Sequence, residues 1–162
     1  MEKISTCLWF DSQAEAAARF YTGVFKNSSI GKIERYGKAG QEYHRQAEGS
    51  VMTVDFELDG RSFTALNGGP VFTFNEAVSL VITCETQDEV DYYWDRLSDG
   101  GDPAAQVCGW LKDKYGLSWQ VVPSIIPRLS ADPDRAKVER MLTAMYTMKK
   151  LNIAELQKAF DG

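Results

Sequence analysis

Residues 52–67 read MTVDFELDGRSFTALN, and this stretch decides the fold. Met52, Val54, Phe56 and Leu58 alternate with Thr53, Asp55, Glu57 and Asp59, the two-residue period of a strand with one buried face. Asp59-Gly60 is a two-residue hairpin signal, so a second strand follows through Arg61–Asn67. Such a hairpin needs a cover on its apolar face and leaves the other face polar or open to solvent. Asn67-Gly68-Gly69-Pro70 ends the pattern.

Working outward, ISTCLWF (residues 4–10) reads as a buried strand and SSIGKIERYG (28–37) as another. Between them lies QAEAAARFYTGVF, where Ala17, Phe20, Tyr21 and Val24 recur at helical spacing and Asp11 and Ser12 offer N-cap chemistry. KAGQEYHRQAEG (38–49) reads as a polar loop. The order then restarts: EAVSLVITCE is a strand, and QDEVDYYWDRL a helix with Val90, Tyr93, Trp94 and Leu97 on one side. Both helices open on Gln-x-Glu, at Gln13 and Gln87, with an aromatic five residues after the Glu. Strand–helix–strands thus occurs twice, an internal repeat of about half the chain. After Pro123 the chain turns helical. Asp132-Pro133 supplies a cap and an N1 proline, Val138, Met141, Leu142, Met145 and Met148 form an apolar stripe, and Asn152-x-x-Glu155 resembles a capping box.

The chain has 162 residues, of which 44% are hydrophobic and 25% charged, enough for one domain with a real core. Its net charge of -5, without Lys/Arg runs, argues against nucleic acid and anionic membranes as partners. No apolar run approaches the roughly 20 residues of a bilayer span. Three cysteines, Cys7, Cys84 and Cys108, are an odd number without CxxC spacing, which argues against a disulfide framework or a cysteine zinc site. With no signal-peptide pattern at the start, a cytoplasmic location is expected.

CLWFDSQAEAAARFYTGVF, FELDGRSFTALNGGPVFTFNEAVSL, CETQDEVDYYWDRL, CGWLKDKYGLSWQVVP and the tail AMYTMKKLNIAEL resemble the PhnB-like family. That family sits in the glyoxalase, bleomycin-resistance and extradiol-dioxygenase superfamily, also called vicinal oxygen chelate. The resemblance implies an α+β fold: two βαβββ modules forming curved mixed sheets, each with a concave pocket face, plus extra C-terminal helices, usually in a homodimer. The expected division of a single domain, 1–162, is module one over about 1–75, module two over about 76–123 and C-terminal helices over about 124–162. Some members carry a demethylubiquinone methyltransferase label. Nucleotide-type methyl donors sit at a glycine-rich turn from strand to helix, whereas Gly68-Gly69 precedes Pro70 and Gly100-Gly101 follows a helix. The label gains no support from the sequence.

Metal-using relatives place one His, Glu or Gln ligand on each of four strands. Carried across by resemblance, the matching positions are Thr6, Asn67, Ser79 and Gln120, the first three open to a shift of one, to Ser5, Leu66 or Leu80. Neutral hydroxyl and amide donors are poor ligands for a divalent transition metal, so no metal or cofactor is expected. The lone His44 falls in the polar loop, and Asp55 and Glu57 read as a solvated strand face rather than rescuing ligands.

Asp113-Lys114-Tyr115-Gly116 has the residues of a type I turn, giving a three-residue hairpin loop closed by Asp113 and Leu117. Counting outward pairs Lys112 with Ser118, Leu111 with Trp119 and Trp110 with Gln120. If Gln120 faces the pocket as in relatives, Cys108, Trp110 and Ser118 join it, while Leu111, Leu117, Trp119 and Val121 pack under helices. Trp110 is then either a pocket wall or an aromatic that fills a dimer cleft. Cys108 reads as a small buried thiol, since no base is placed to activate it. The expected function is metal-independent binding of a small apolar or aromatic molecule in a dimer cleft, with Thr6, Asn67, Ser79, Cys108, Trp110, Ser118 and Gln120 as pocket candidates. The alternatives are a lyase, isomerase or dioxygenase-type enzyme, or a scaffold whose cleft its own side chains fill.

Overall fold

The structure, a computed structural model, describes residues 3–162. The chain divides into two compact units, Met1–Phe74 and Asn75–Gly162.

The first unit runs β1 (Thr6–Phe10), α1 (Ala14–Val24), β2 (Ser29–Arg35), a single helical turn α2 (Gln41–His44), β3 (Val51–Leu58) and β4 (Arg61–Asn67). Its four strands lie in the order β1-β4-β3-β2. The β1–β4 pair is parallel and the other two pairs are antiparallel. The Asp59-Gly60 hairpin closes as its sequence requires, with Leu58 opposite Arg61 and Phe56 opposite Phe63. Val54, Phe56, Leu58, Phe63 and Ala65 are buried, and Ala14, Ala17, Ala18, Tyr21 and Val24 of α1 supply the matching apolar stripe. Tyr21 stacks on Phe56, which stacks in turn on Phe63. Strand β2 is broken by register shifts between Ile30 and Ile33 and again between Glu34 and Arg35.

The second unit repeats the plan in shorter form, with β5 (Leu80–Cys84), α3 (Gln87–Ser98), β6 (Trp110–Lys112) and β7 (Ser118–Pro123). The sheet order is β5-β7-β6, with first and last strands again parallel. Three strands stand here where the first module has four. In the place of β2 the chain forms a 3-10 turn at Pro103–Ala105, for which Asp102 accepts from the Ala104 N–H at 2.9 Å. Pro103 has no N–H to give a ladder, and Gly101 packs directly on the Lys112 carbonyl, where a Cβ has no room.

α4 (Ile125–Ser130), α5 (Arg135–Tyr146) and α6 (Ile153–Asp161) follow in the same unit. Ile125, Leu129, Val138, Met141, Leu151, Leu156 and Phe160 form their core, with Leu142, Met145 and Met148 packed against it. The methionine stripe is therefore internal packing, a use that suits its adaptable side chains. The helices dock on their own chain. Gln87 donates to the Leu151 carbonyl and accepts from Ile153 N–H, and Lys150 pairs with Asp91 at 2.9 Å. Among the described residues no helix is long and apolar enough to cross a membrane.

Three helix starts refine the sequence reading. Asn152 caps α6 by accepting from Glu155 N–H, the expected half of a capping box. α5 begins later than Asp132-Pro133 indicates, because Asp134 takes the cap by accepting from Ala136 and Lys137, while Asp132 accepts from Asp134 N–H. Neither Asp11 nor Ser12 caps α1. The Oδ1 of Asn67, from the distant end of β4, accepts from Ala14 N–H at 2.8 Å.

Candidate functional site

The two faces of each sheet have distinct tasks, and the strand registers assign every side chain to one of them. In the first module Thr6 pairs with Phe63, Leu8 with Ala65 and Phe10 with Asn67, all on the helix-covered face. The opposite, open face carries Cys7 and Trp9 from β1, Ser62, Thr64 and Leu66 from β4, and Thr53, Asp55 and Glu57 from β3. A cavity of about 500 Å³ lies on it, lined by Ser5, Ser29, Asp55, Glu57, Ser62 and Thr64 among others. Asp55 accepts from the Thr64 hydroxyl at 2.8 Å.

Thr6 and Asn67 therefore lie on the helix-covered face, where Asn67 borders a separate cavity of about 490 Å³ with Ser12, Glu15, Arg19 and Val51. The resemblance left both positions open to a shift of one, to Ser5 and Leu66, and in a strand one residue reverses the face. Asn67 instead ties the first module together: besides capping α1, its Nδ2 donates to Val51 O at 3.1 Å, and its own carbonyl accepts from the Tyr36 hydroxyl at 2.6 Å. His44 sits in α2 against Tyr36, with ring centroids 4.4 Å apart, and its Nδ1 accepts from Gln46 N–H. Both groups serve local structure.

The second module brings four of the candidates together. The register is the one counted from the turn, Trp110↔Gln120, Leu111↔Trp119 and Lys112↔Ser118. Leu111, Leu117, Trp119 and Val121 are buried on the helix side. Trp110, Gln120, Lys112 and Ser118 share the open face, joined by Val81, which pairs with Gln120 and is 58% exposed. Gln120 donates to the Ser79 hydroxyl at 2.9 Å. Lys112 forms an ion pair with Glu76, from the segment leading into β5. Ser118 is 1% exposed, and its hydroxyl has no hydrogen-bond partner among the described residues.

Cys108 is not on the strand. Val107 and Trp110 exchange backbone hydrogen bonds around a two-residue turn, with φ of 49° at Cys108 and 81° at Gly109. Positive φ at both central residues is a primed-turn geometry in which strand alternation no longer applies. The N–H groups of Cys108 and Gly109 donate to the Met148 and Lys149 carbonyls, so this turn receives the C-terminal segment. Sequence reasoning also missed Asp113. Its carboxylate is buried, accepting from Tyr115 and Leu117 N–H and, at 2.8 Å, from the Trp119 indole. The turn motif placed the first two bonds, while the third depends on the cross-strand reach of Trp119. Trp9 is a further open-face aromatic that went unnoticed, its indole donating to Gly69 O and its ring edge-on to Phe72.

The four positions carried across by resemblance, Thr6, Asn67, Ser79 and Gln120, offer only hydroxyl and amide donors, and Thr6 and Asn67 face the helix. That donor set does not fit a divalent metal. Among the described residues no group of three or more His, Cys, Asp or Glu is placed to hold one.

Repeated strand–helix–strand modules, each with parallel first and last strands and an open face, define the glyoxalase, bleomycin-resistance and dioxygenase class. The sequence model of one family, described as 3-demethylubiquinone-9 3-methyltransferase, matches residues 2–122. The chain belongs to that PhnB-like family. Among solved structures it is similar to the PhnB protein of Bacillus cereus, whose description carries the same methyltransferase name. Identity there is 36% over 76% of this chain and all of the other, with a TM-score of 0.66. A Pseudomonas aeruginosa protein shares the fold at 15% identity and a TM-score of 0.57, over 76% of this chain and 98% of its own. The fosfomycin resistance protein FosX of Listeria monocytogenes lies further off, at 13% identity and a TM-score of 0.48 over 76% and 93%. No curated protein matches the chain.

Proposed function

We propose that the chain is a metal-independent binding protein for a small apolar or aromatic molecule, held on the open face of the second module in a cytoplasmic homodimer. The observation that carries this reading is the grouping of Trp110, Val81, Gln120 and Ser79 on one solvent-facing side of β5, β7 and β6. An aromatic wall with a few oriented polar groups is the usual composition of a small-molecule site. Val78 and Val81, exposed on this unit, offer apolar area for a ligand or a second copy.

The methyltransferase name of the family and of the Bacillus cereus protein describes an activity for which we find no seat here. The turns from β1 to α1 and from β5 to α3 contain no glycine, and Gly68 lies beneath the Trp9 ring. A methyl donor of nucleotide type would lack its phosphate- or ribose-cradling turn.

The test is a tryptophan-fluorescence titration with neutral aromatic compounds, run with and without chelator. Saturable quenching that chelator leaves unchanged and that Trp110→Ala weakens at least tenfold, about 1.4 kcal/mol, is the expected result. Equal affinity in Trp110→Ala overturns the site. A second reading, an enzyme of the lyase, isomerase or dioxygenase kind, rests on the cavity holding Asp55 and Glu57. It predicts turnover that Asp55→Asn abolishes.

A further inference from the structure

On the second module's open face, three donors lie beside the aromatic wall: Lys112 with an exposed counter-ion, Ser118 with no acceptor among the described residues, and Gln120 bonded to Ser79. Lys112 stands two residues from Trp110 on the same strand, so its stem and the indole leave the sheet side by side, about 7 Å apart. Its counter-ion, Glu76, lies outside any strand or helix on a side chain that is 60% exposed. An ion pair with so exposed a partner is weakly held and easily exchanged for another anion. Directly across the ladder from Lys112 is Ser118, whose buried hydroxyl has no partner among the described residues. A buried hydroxyl is ordinarily bonded, so an orphan of this kind marks either a local cost or a place kept for a missing acceptor. Next along the face, Gln120 has already committed an N–H to Ser79, which fixes its amide at the side of Trp110.

We propose that this face takes an aromatic organic anion, with Trp110 receiving the ring and Lys112 and Ser118 receiving an oxyanion that displaces Glu76. The inference rests on the small-molecule reading above and narrows it to a chemical class. An oxyanion accepts from the ammonium and the stranded hydroxyl together and also neutralises the charge on Lys112, which a neutral alcohol or amine does not. Glu76 acts as a stand-in carboxylate that holds the Lys112 side chain in place until the ligand arrives. Carboxylate, sulfonate and phosphate share this chemistry.

The experiment compares anilinonaphthalene sulfonate with its neutral parent, phenylnaphthylamine, by fluorescence titration of the full chain at low and high salt. The sulfonate is expected to bind roughly tenfold tighter or more, the factor that one charge-assisted hydrogen bond supplies, and added salt shrinks the gap. Lys112→Met erases the preference, Ser118→Ala reduces it, and Glu76→Gln strengthens sulfonate binding while leaving phenylnaphthylamine unchanged. Circular dichroism checks each variant, and Glu76→Gln, on an exposed segment, decides the matter if a sheet variant misfolds. Equal binding of both probes, weakened alike by Trp110→Phe, overturns the anion proposal and leaves the binding reading standing. Indifference of both probes to Trp110→Phe overturns the two together.

Discussion

At the scale of single residues, burial and hydrogen bonding separate structural side chains from those free to meet a ligand. Asn67 is the plainest case. Replacing it by Ala strands the Ala14 N–H and the Val51 carbonyl, each of which it satisfies from a buried position. Urea unfolding of Asn67→Ala should show a loss of about 2–4 kcal/mol, since each orphaned buried group costs about 1–3 kcal/mol. Its affinity for aromatic probes, per folded molecule, should stay at the parent value. Cys84 gives a second test. Burial, aided by the Glu89 and Glu85 carboxylates, pushes its thiol up to about 12 from the usual 9.0. In the unfolded chain that thiol ionises near 9.0, whereas in the fold it stays protonated. Its contribution to stability is therefore complete below about pH 9 and is lost as pH rises towards about 12. Urea midpoints across this interval should fall less steeply in Cys84→Ala than in the parent, and parallel curves would contradict the burial argument. The identity of such residues was poorly legible in the sequence. Nothing local to Asn67 shows that its acceptor faces a helix more than fifty residues earlier in the chain. Thr6, likewise, reads as open-face or helix-face depending on a single step of register.

At the scale of elements, legibility followed the strength of local rules. The hairpin through Asp113–Leu117 was readable to the residue because turn chemistry fixes the loop, and the loop fixes every pair beyond it. Counting outward fails only where the strand stops, at the Cys108-Gly109 turn, for which Gly109 alone gave a faint sign. The missing fourth strand of the second module was masked by the repeat: analogy to β2 carried more weight than Asp102-Pro103, the local signal for a turn. The same turn offers a strong prediction. Gly109 has φ of 81°, and a Cβ there would lie 2.9 Å from both Leu151 Cδ1 and the Val121 carbonyl. Gly109→Ala combines left-handed strain with overpacking and should cost roughly 2–4 kcal/mol. Limited proteolysis should then cut near residues 147–152 faster than in the parent, because the carbonyls of Met148 and Lys149 lose their donors.

At the scale of the whole molecule, two features bear on behaviour in solution. Each unit leaves large apolar side chains exposed, Val71 and Phe72 on the first, Val78 and Val81 on the second. Sedimentation velocity should find the chain at twice its 18.2 kDa mass, and Val81→Asp should shift it towards the monomer; a monomeric parent at micromolar concentration would remove the homodimer from the proposed function. The other feature is the asymmetry of the sheet margins. On one side of each sheet the outer strand is blunted, β2 by its register shifts and β6 by its three-residue length and by Gly101 pressed against Lys112. Such margins are poor templates for a foreign strand. Within each unit, the described residues of the opposite margins, β1 and β5, pair without a register shift and contain no proline. Fibrillar or swapped assemblies, if the chain is driven to form them, should therefore grow through β1 or β5, and a proline placed at Thr83 would be the economical way to stop growth from the second.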